Sequence, residues 1–83
     1  MIRIMLVDDH TMVREALRDV LEQDGNMEVV AAVGDGETAL QLAAELSPGV
    51  VVMDVALPGL SGIETTRRLR LKHPEIKVLA LST

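Results

Sequence analysis

The sequence predicts an α/β fold built on a mainly parallel sheet. Short apolar runs, rich in Val, Ile and Leu, alternate with windows in which apolar residues recur at helical spacing, the pattern of successive βαβ units. Glycine and proline separate these segments, and no internal repeat or linker interrupts them. Strands are predicted near 2–7, 28–33, 49–53 and 77–82, and helices near 11–23, 36–46 and 62–72.

The first helix is predicted from a broad apolar stripe with three- and four-residue spacing. The stripe consists of Met12, Val13, Ala16, Leu17, Val20 and Leu21. The turn Asp24-Gly25-Asn26 ends the helix. The stripe is broad enough to pack onto a sheet, as we expect it to do.

Cap and breaker residues bound the other two helices. Asp35 is the predicted N-cap of the second helix, which ends at Ser47-Pro48-Gly49. The third helix has Ile63 and Leu69 as its apolar anchors, and Pro74 stops it. Its remaining faces are basic, so we expect it to be a partly exposed, solvated helix. The basic residues are Arg67, Arg68, Arg70 and Lys72.

Length and composition limit both the stability and the function of the chain. Its 83 residues make one domain at most, and a domain of this size buries only about 60 to 65% of its unfolded surface. No Phe, Tyr or Trp contributes to the core. The formal charge of −5 disfavours a nucleic-acid-binding surface, because such surfaces neutralise phosphates with Lys and Arg.

The same composition indicates where the protein acts. Without cysteine there is no disulfide framework and no Cys-ligated zinc site. The opening apolar run meets Asp8 too soon for a signal peptide or a membrane span. We therefore expect a soluble cytoplasmic protein without a membrane partner.

Three aspartates follow or end predicted strands. Asp8 and Asp9 follow the first strand, and Asp54 follows the run Val50-Val51-Val52-Met53. Parallel α/β sheets bind ligands just outside the carboxyl ends of their strands. Carboxylates about 5 Å apart repel by ~3 kcal/mol at an effective dielectric near 20, and bound Mg²⁺, which prefers oxygen ligands, would relieve this repulsion. Taken singly, the Asp pair could be only a helix cap, and Asp54 only a turn residue.

Four motifs together resemble the receiver domain of bacterial two-component response regulators. They are Asp8-Asp9-His10, Val51-Val52-Met53-Asp54, Leu57-Pro58-Gly59-Leu60-Ser61-Gly62 and Ala80-Leu81-Ser82. The first motif, followed by Val13-Arg14-Glu15-Ala16-Leu17, is similar to regulators of the LuxR/NarL type, which carry a C-terminal DNA-binding helix-turn-helix. The resemblance implies a flavodoxin-like doubly wound sheet with strand order 2-1-3-4. It covers residues 1–83 as a partial receiver that stops before helix 4, strand 5 and helix 5.

The resemblance also implies a function for individual residues. Asp54 would accept a phosphoryl group from a sensor histidine kinase, in a Mg²⁺-dependent reaction. Asp8, Asp9, Asp54 and the backbone carbonyl of Ala56 would hold the metal, and the Ser82 hydroxyl would bond the phosphoryl group. The protein would be a signalling phosphoacceptor that controls transcription, and its own phosphotransfer would be its only enzymatic activity. No nucleotide-binding loop or nucleophile–base pair indicates an enzyme for small molecules.

A second interpretation is a phosphorylation-incompetent interaction fragment. In the family a lysine on the fifth strand pairs with the phosphoryl group, whereas Lys77 begins the fourth strand here, roughly 17 Å from the active end. Without a fifth strand, the run Val78-Leu79-Ala80-Leu81 would be an open edge. We expect it to cause dimerisation, by edge pairing or by exchange of an element between chains, or else aggregation. His10 is interpreted as a surface residue or helix cap and is not assigned a catalytic role.

Overall fold

Strands and helices alternate along the whole described chain. The computed structural model describes residues 1–81. Its elements are β1 (Ile2–Val7), α1 (Thr11–Glu22), β2 (Met27–Val33), α2 (Gly36–Leu46), β3 (Val50–Asp54), α3 (Gly62–Lys72) and β4 (Lys77–Leu81). The predicted elements are confirmed, with every described boundary within one residue of its predicted position.

The four strands form one parallel sheet in the order β2-β1-β3-β4, which confirms the predicted fold class and strand order. In this order β1 and β3 are central neighbours. Val7 at the end of β1 lies opposite Met53 of β3 and Val33 of β2. The residues that follow Val7 and Met53 therefore emerge side by side at one edge of the sheet.

The two faces of the sheet are covered unequally. Helices α2 and α3 cover one face, where the larger hydrophobic cluster lies. Helix α1 covers the other face, above the smaller cluster of Ile4, Leu6 and Val29. Alternate residues of a strand point to opposite faces, so Met5 and Val7 belong to the larger cluster, while Ile4 and Leu6 belong to the smaller one.

The predicted packing of α1 is wrong for half of its stripe. Met12 and Val20 are 82% and 64% exposed, Ala16 is also exposed, and no residue of the helix is fully buried. The row that faces the sheet is narrower, with a spacing of four residues. It consists of Val13, Leu17 and Leu21, all half-buried. A single helix resting on a small apolar patch buries only the row that touches the patch.

Helix α3 anchors itself through a different residue from one of those predicted. Leu69 is fully buried, as predicted, but Ile63 is 72% exposed. Thr65 is fully buried instead, and its hydroxyl donates to the carbonyl of Ser61 at 2.7 Å. Residues 62, 65 and 69 share one side of a helix, and position 63 lies about 100° around from 62, which explains the exposure of Ile63.

The N-termini of the helices differ in their capping. The predicted cap is confirmed in α2, where the Asp35 carboxylate accepts the Thr38 amide hydrogen at 2.7 Å. The Ser61 hydroxyl caps α3 by accepting from the Glu64 amide at 3.1 Å. In α1 the N-cap residue is His10, whose side chain makes no capping hydrogen bond. Among the helices of residues 1–81, none has the length and apolar character needed to cross a membrane.

Candidate metal centre

The three aspartates converge at the carboxyl edge of the sheet. Asp8, Asp9, His10 and Asp54 each offer one donor atom, and these four atoms all lie within 4.8 Å of one another. Asp8 and Asp54 are buried, at 3% and 1% exposure, whereas Asp9 is exposed. Because β1 and β3 are paired in register, their ends bring carboxylates together that are more than 40 residues apart in sequence.

The amide, the carbonyl and one carboxylate oxygen of Asp8 are each held by a neighbour. Its amide donates to the carbonyl of Val33 at 3.0 Å, which extends the pairing of β1 with β2 by one residue. Its carboxylate Oδ1 accepts the His10 amide hydrogen at 2.8 Å. Its carbonyl accepts from Nη1 of Arg14 at 2.6 Å. The β1–α1 loop is thus shaped by hydrogen bonds around Asp8.

Asp54 is held from its own loop and from the start of α3. Its Oδ1 accepts the amide hydrogen of Ala56 at 2.9 Å, which places Ala56 directly beside it in the β3–α3 loop. Gly62, the first residue of α3, packs against the backbone behind the carboxylate. A side chain at position 62 would overlap the carbonyl of Asp54 and approach Cα of Val55 to 2.7 Å. Glycine is therefore required for α3 to begin this close to the acceptor strand.

His10 is the member of the cluster that the sequence interpretation left without a role. Its ring Nδ1 lies 2.9 Å from Oδ1 of Asp8 and 3.2 Å from Oδ1 of Asp9. The hydrogen bond with Asp8, followed by the charges of Asp9 and Asp8, raises the pKa of His10 above its usual 6.5. An imidazolium here offsets part of the negative charge of the cluster, and a metal cation at the same oxygens would compete with it. Its position directly after the Asp pair was the available sequence signal.

The donor set suits a hard divalent cation. Three carboxylates from two neighbouring strand ends supply oxygen ligands, and the exposed side at Asp9 leaves room for the waters that Mg²⁺ retains. The assignments of Asp8, Asp9, Asp54 and Ala56 as metal ligands, and of Asp54 as acceptor, stay predictions. The predicted phosphoryl contact of Ser82 lies outside the described residues.

A comparison of the sequence with protein families identifies the family of the chain. Residues 4–83 match the family described as "Response regulator receiver domain". The chain is a member of that receiver family. The predicted resemblance is thereby confirmed, and receivers are signalling domains that bind Mg²⁺ in an acidic pocket.

Curated relatives of the chain include response regulators and a transcriptional activator. The chain is 45% identical over 82 residues to "Response regulator GacA" of Pseudomonas viridiflava, and the matched segment covers 99% of this chain and 38% of that protein. It is 51% identical over 79 residues to "Transcriptional activator protein ExaE" of Pseudomonas putida, covering 95% and 37%. The chain therefore spans less than two fifths of the length of these relatives.

Solved structures of receivers share its fold. A LuxR-family two-component response regulator from Aurantimonas sp. SI85-9A1 superposes with a TM-score of 0.91 at 44% identity, covering 96% of this chain and 57% of the other. The response regulator domain of Thermotoga maritima CheB gives a TM-score of 0.92 at 36% identity, covering 98% and 60%. The four strands and three helices of residues 1–81 thus correspond to part of a longer chain in both structures.

Proposed function

We propose that the receiver accepts a phosphoryl group on Asp54 from a sensor histidine kinase, in a Mg²⁺-dependent reaction. The observation that carries this proposal is the placement of a buried carboxylate, Asp54, beside two others at the carboxyl edge of the sheet. A carboxylate buried among other carboxylates is costly to maintain without a cation. Such an arrangement is therefore better suited to a metal-assisted acceptor than to a structural turn.

In the proposed reaction, an Asp54 oxygen attacks the phosphorus of the kinase's phosphohistidine. A P–O bond to Asp54 forms as the P–N bond breaks, and the imidazole nitrogen keeps the electron pair and takes up a proton. The amide of Ala56 holds one oxygen of the carboxylate, which fixes the direction of the other. This hydrogen bond orients the nucleophile before the donor arrives.

The metal ligands in this proposal are the carboxylates of Asp8, Asp9 and Asp54 and the backbone carbonyl of Ala56. Bound Mg²⁺ would neutralise negative charge on the incoming phosphoryl group. Asp8 and Asp54 would form the buried side of the site, and Asp9 its solvent side, because only Asp9 of the three is exposed. We assign to Ser82 the hydroxyl that bonds the phosphoryl group.

At the level of the whole protein, we propose control of transcription through a C-terminal helix-turn-helix domain. The support is that relatives covering nearly all of this chain include a transcriptional activator and a LuxR-family regulator, both longer than it. Direct contact with DNA is not assigned to this acidic segment. A cytoplasmic location and a signalling role, rather than turnover of a small molecule, are part of the same proposal.

The test is intact mass after incubation with Mg²⁺ and a small acyl phosphate as donor. One added phosphoryl group is expected on the wild-type chain and none on the Asp54→Asn variant, which keeps the shape of the side chain but lacks the nucleophilic carboxylate. Circular dichroism of both proteins controls for folding. A folded wild-type chain without the mass gain, or an equal gain in the variant, would contradict the assignment.

Metal binding is tested separately by thermal melting. Mg²⁺ at tenfold its dissociation constant should stabilise the native state by about 1.4 kcal/mol, which raises the melting temperature of so small a domain visibly. Asp8→Asn should reduce the rise. An unchanged melting temperature in millimolar Mg²⁺ would count against a formed acidic pocket.

The second candidate function is a phosphorylation-incompetent interaction module. Its specific support is β4, which pairs only with β3 within residues 1–81 and leaves Leu79 59% exposed. An open parallel edge can pair with another chain, and self-association through β4 would give a dimer. Sedimentation equilibrium at micromolar concentration tests this candidate, and a monomeric mass would contradict it.

A further inference from the structure

We propose that Arg14 is a positioning residue of the metal centre, whose guanidinium orients the peptide that joins Asp8 to Asp9. This inference deepens the proposed function and rests on it. Arg14 touches none of the reacting atoms and acts through the backbone of the two predicted ligands. The contact is the hydrogen bond from Nη1 to the carbonyl of Asp8, at 2.6 Å.

The position of this hydrogen bond explains how a distant side chain could affect two ligands. The carbonyl of Asp8 and the amide of Asp9 belong to one rigid peptide plane. Holding the carbonyl therefore restrains the rotation of the whole plane, and with it the positions of the nitrogen and Cα of Asp9, from which the Asp9 side chain starts. Asp8 is also held by β2 and by His10, but Asp9 is exposed and follows the last residue paired in the sheet.

The surroundings of Arg14 are shaped to receive its guanidinium. Nη2 also donates to the hydroxyl of Thr11 at 3.3 Å, so two nitrogens of the fork have partners. Gly34, after β2, leaves the space in which Nη1 lies. A Cβ at position 34 would approach Nη1 to 3.3 Å, and would lie 3.9 Å from both the carbonyl of Asp8 and Cα of Asp9. With glycine at position 34 the contact is free of this crowding, whereas a Cβ there would displace the guanidinium by a few tenths of an ångström.

The presence of an arginine at position 14 is not explained by the stability of α1. The residue lies in the N-terminal part of α1, where the helix dipole disfavours a cation. Simple charge effects make the opposite prediction to ours: removing a cation near three carboxylates should tighten binding of Mg²⁺, whereas losing the orientation of the loop should weaken it. The sign of the change in affinity therefore separates the two explanations.

The main experiment is calorimetric titration of the full chain with Mg²⁺ alone. Arg14→Met should raise the dissociation constant about tenfold, the lower range for loss of a residue that orients a metal ligand. Arg18→Met is the matched control. Arg18 lies one turn further along α1, borders the same surface groove and carries the same charge, but it has no hydrogen bond to the metal loop among the described contacts. Arg18→Met should leave affinity unchanged or slightly tighter.

Two further variants distinguish orientation from general damage. Arg14→Lys keeps the charge and one hydrogen-bond donor, so its affinity for Mg²⁺ should lie between those of Arg14→Met and the wild type. If the side chain only supported the fold, the affinity would not depend on whether residue 14 has a donor. Gly34→Ala should weaken binding less than Arg14→Met, because it only displaces the guanidinium. If both act through the same contact, Gly34→Ala should have no additional effect in the Arg14→Met background.

The outcomes separate this inference from the proposed function. Unchanged or tighter Mg²⁺ binding by folded Arg14→Met, or equal weakening by Arg18→Met, would overturn the role of Arg14 alone. Absence of Mg²⁺ binding by the wild-type chain would overturn the metal site itself. The loop geometry has an independent readout, since ¹H–¹⁵N spectra without metal should show the Asp9 and His10 amides shifted in Arg14→Met but not in Arg18→Met. Unshifted amides would overturn the inference whatever the metal does.

Discussion

The two faces of the sheet show different ways of holding the same site. Among residues 1–81, nine form a buried cluster under α2 and α3, which includes Met53, next to Asp54, and Val7, next to Asp8. Under α1 the buried cluster has three residues, and α1 itself has none that is fully buried. Both β1 and β3 are thus fixed by packing on the α2–α3 face, whereas the β1–α1 loop, which continues from Asp8 towards α1, is held mainly by hydrogen bonds.

This difference matters because packing and hydrogen bonds respond differently to substitution. A buried apolar side chain makes many small contacts, so its loss affects the whole domain. A hydrogen bond to a loop carbonyl contributes modestly to stability but determines a local direction. Substitutions on the α2–α3 face should therefore lower stability first, and substitutions around the β1–α1 loop should lower metal affinity first.

The largest expected effect is the contrast between Leu69→Ala and Leu17→Ala. Leu69 of α3 is completely buried, so its truncation should cost about 2 to 5 kcal/mol of unfolding free energy, a large part of the total for a domain of this size. Leu17 is half-buried on the thin face, and its truncation should cost about 1 kcal/mol. Urea unfolding followed by circular dichroism measures both. Equal losses would contradict the inequality of the two faces.

A smaller effect is expected from adding one carbon where α3 meets the acceptor strand. Gly62→Ala would press a methyl group against the backbone of Asp54 and Val55, which should cost about 1 to 3 kcal/mol. Gly25→Ala is the control, because a Cβ there meets nothing within 4 Å and the change should stay within about 0.5 kcal/mol. Urea unfolding again provides the measurement. Equal effects of the two substitutions would show that α3 can shift away from the backbone of Asp54 and Val55 without loss of stability.

The smallest expected effect is a pH dependence of stability that arises from one cluster of charged side chains on α3. Glu64 pairs with Arg67 at 2.6 Å and Arg68 at 2.8 Å, and hydrogen bonds from these arginines lower the pKa of Glu64 from 4.5 to about 2. A lowered carboxyl pKa means that the stabilisation is complete above about pH 4.5 and is lost as the pH falls towards 2. Its size is small, because the pair is at the surface.

Melting temperatures between pH 6 and pH 2 would check this dependence, with the range set by the two pKa values. Glu64→Gln should make the decline shallower in the acid range. Replacing both Arg67 and Arg68 with Gln should do the same, because it removes the partners. A variant curve parallel to that of the wild type throughout would exclude a contribution from this ion pair.

Local patterns were sufficient to predict the elements and the place of the site. The elements follow from apolar periodicity, Asp35 caps α2 as predicted, and Asp8 and Asp54 follow apolar runs that became neighbouring strands. The convergence of these carboxylates could be anticipated because parallel strands end at one edge of a sheet. Their roles in metal binding and phosphoryl transfer stay predictions.

The sequence by itself determined which segments become strands and helices, and which carboxylates stand at strand ends, because both depend on neighbouring residues. Only the tertiary structure decided which apolar residues are buried. Met12, Val20 and Ile63 have the spacing of core residues but face solvent, since burial depends on what lies opposite. The tertiary structure also decided that Arg14 donates to the carbonyl of Asp8 beside Gly34. This contact joins three segments whose relative positions are set by the assembled sheet.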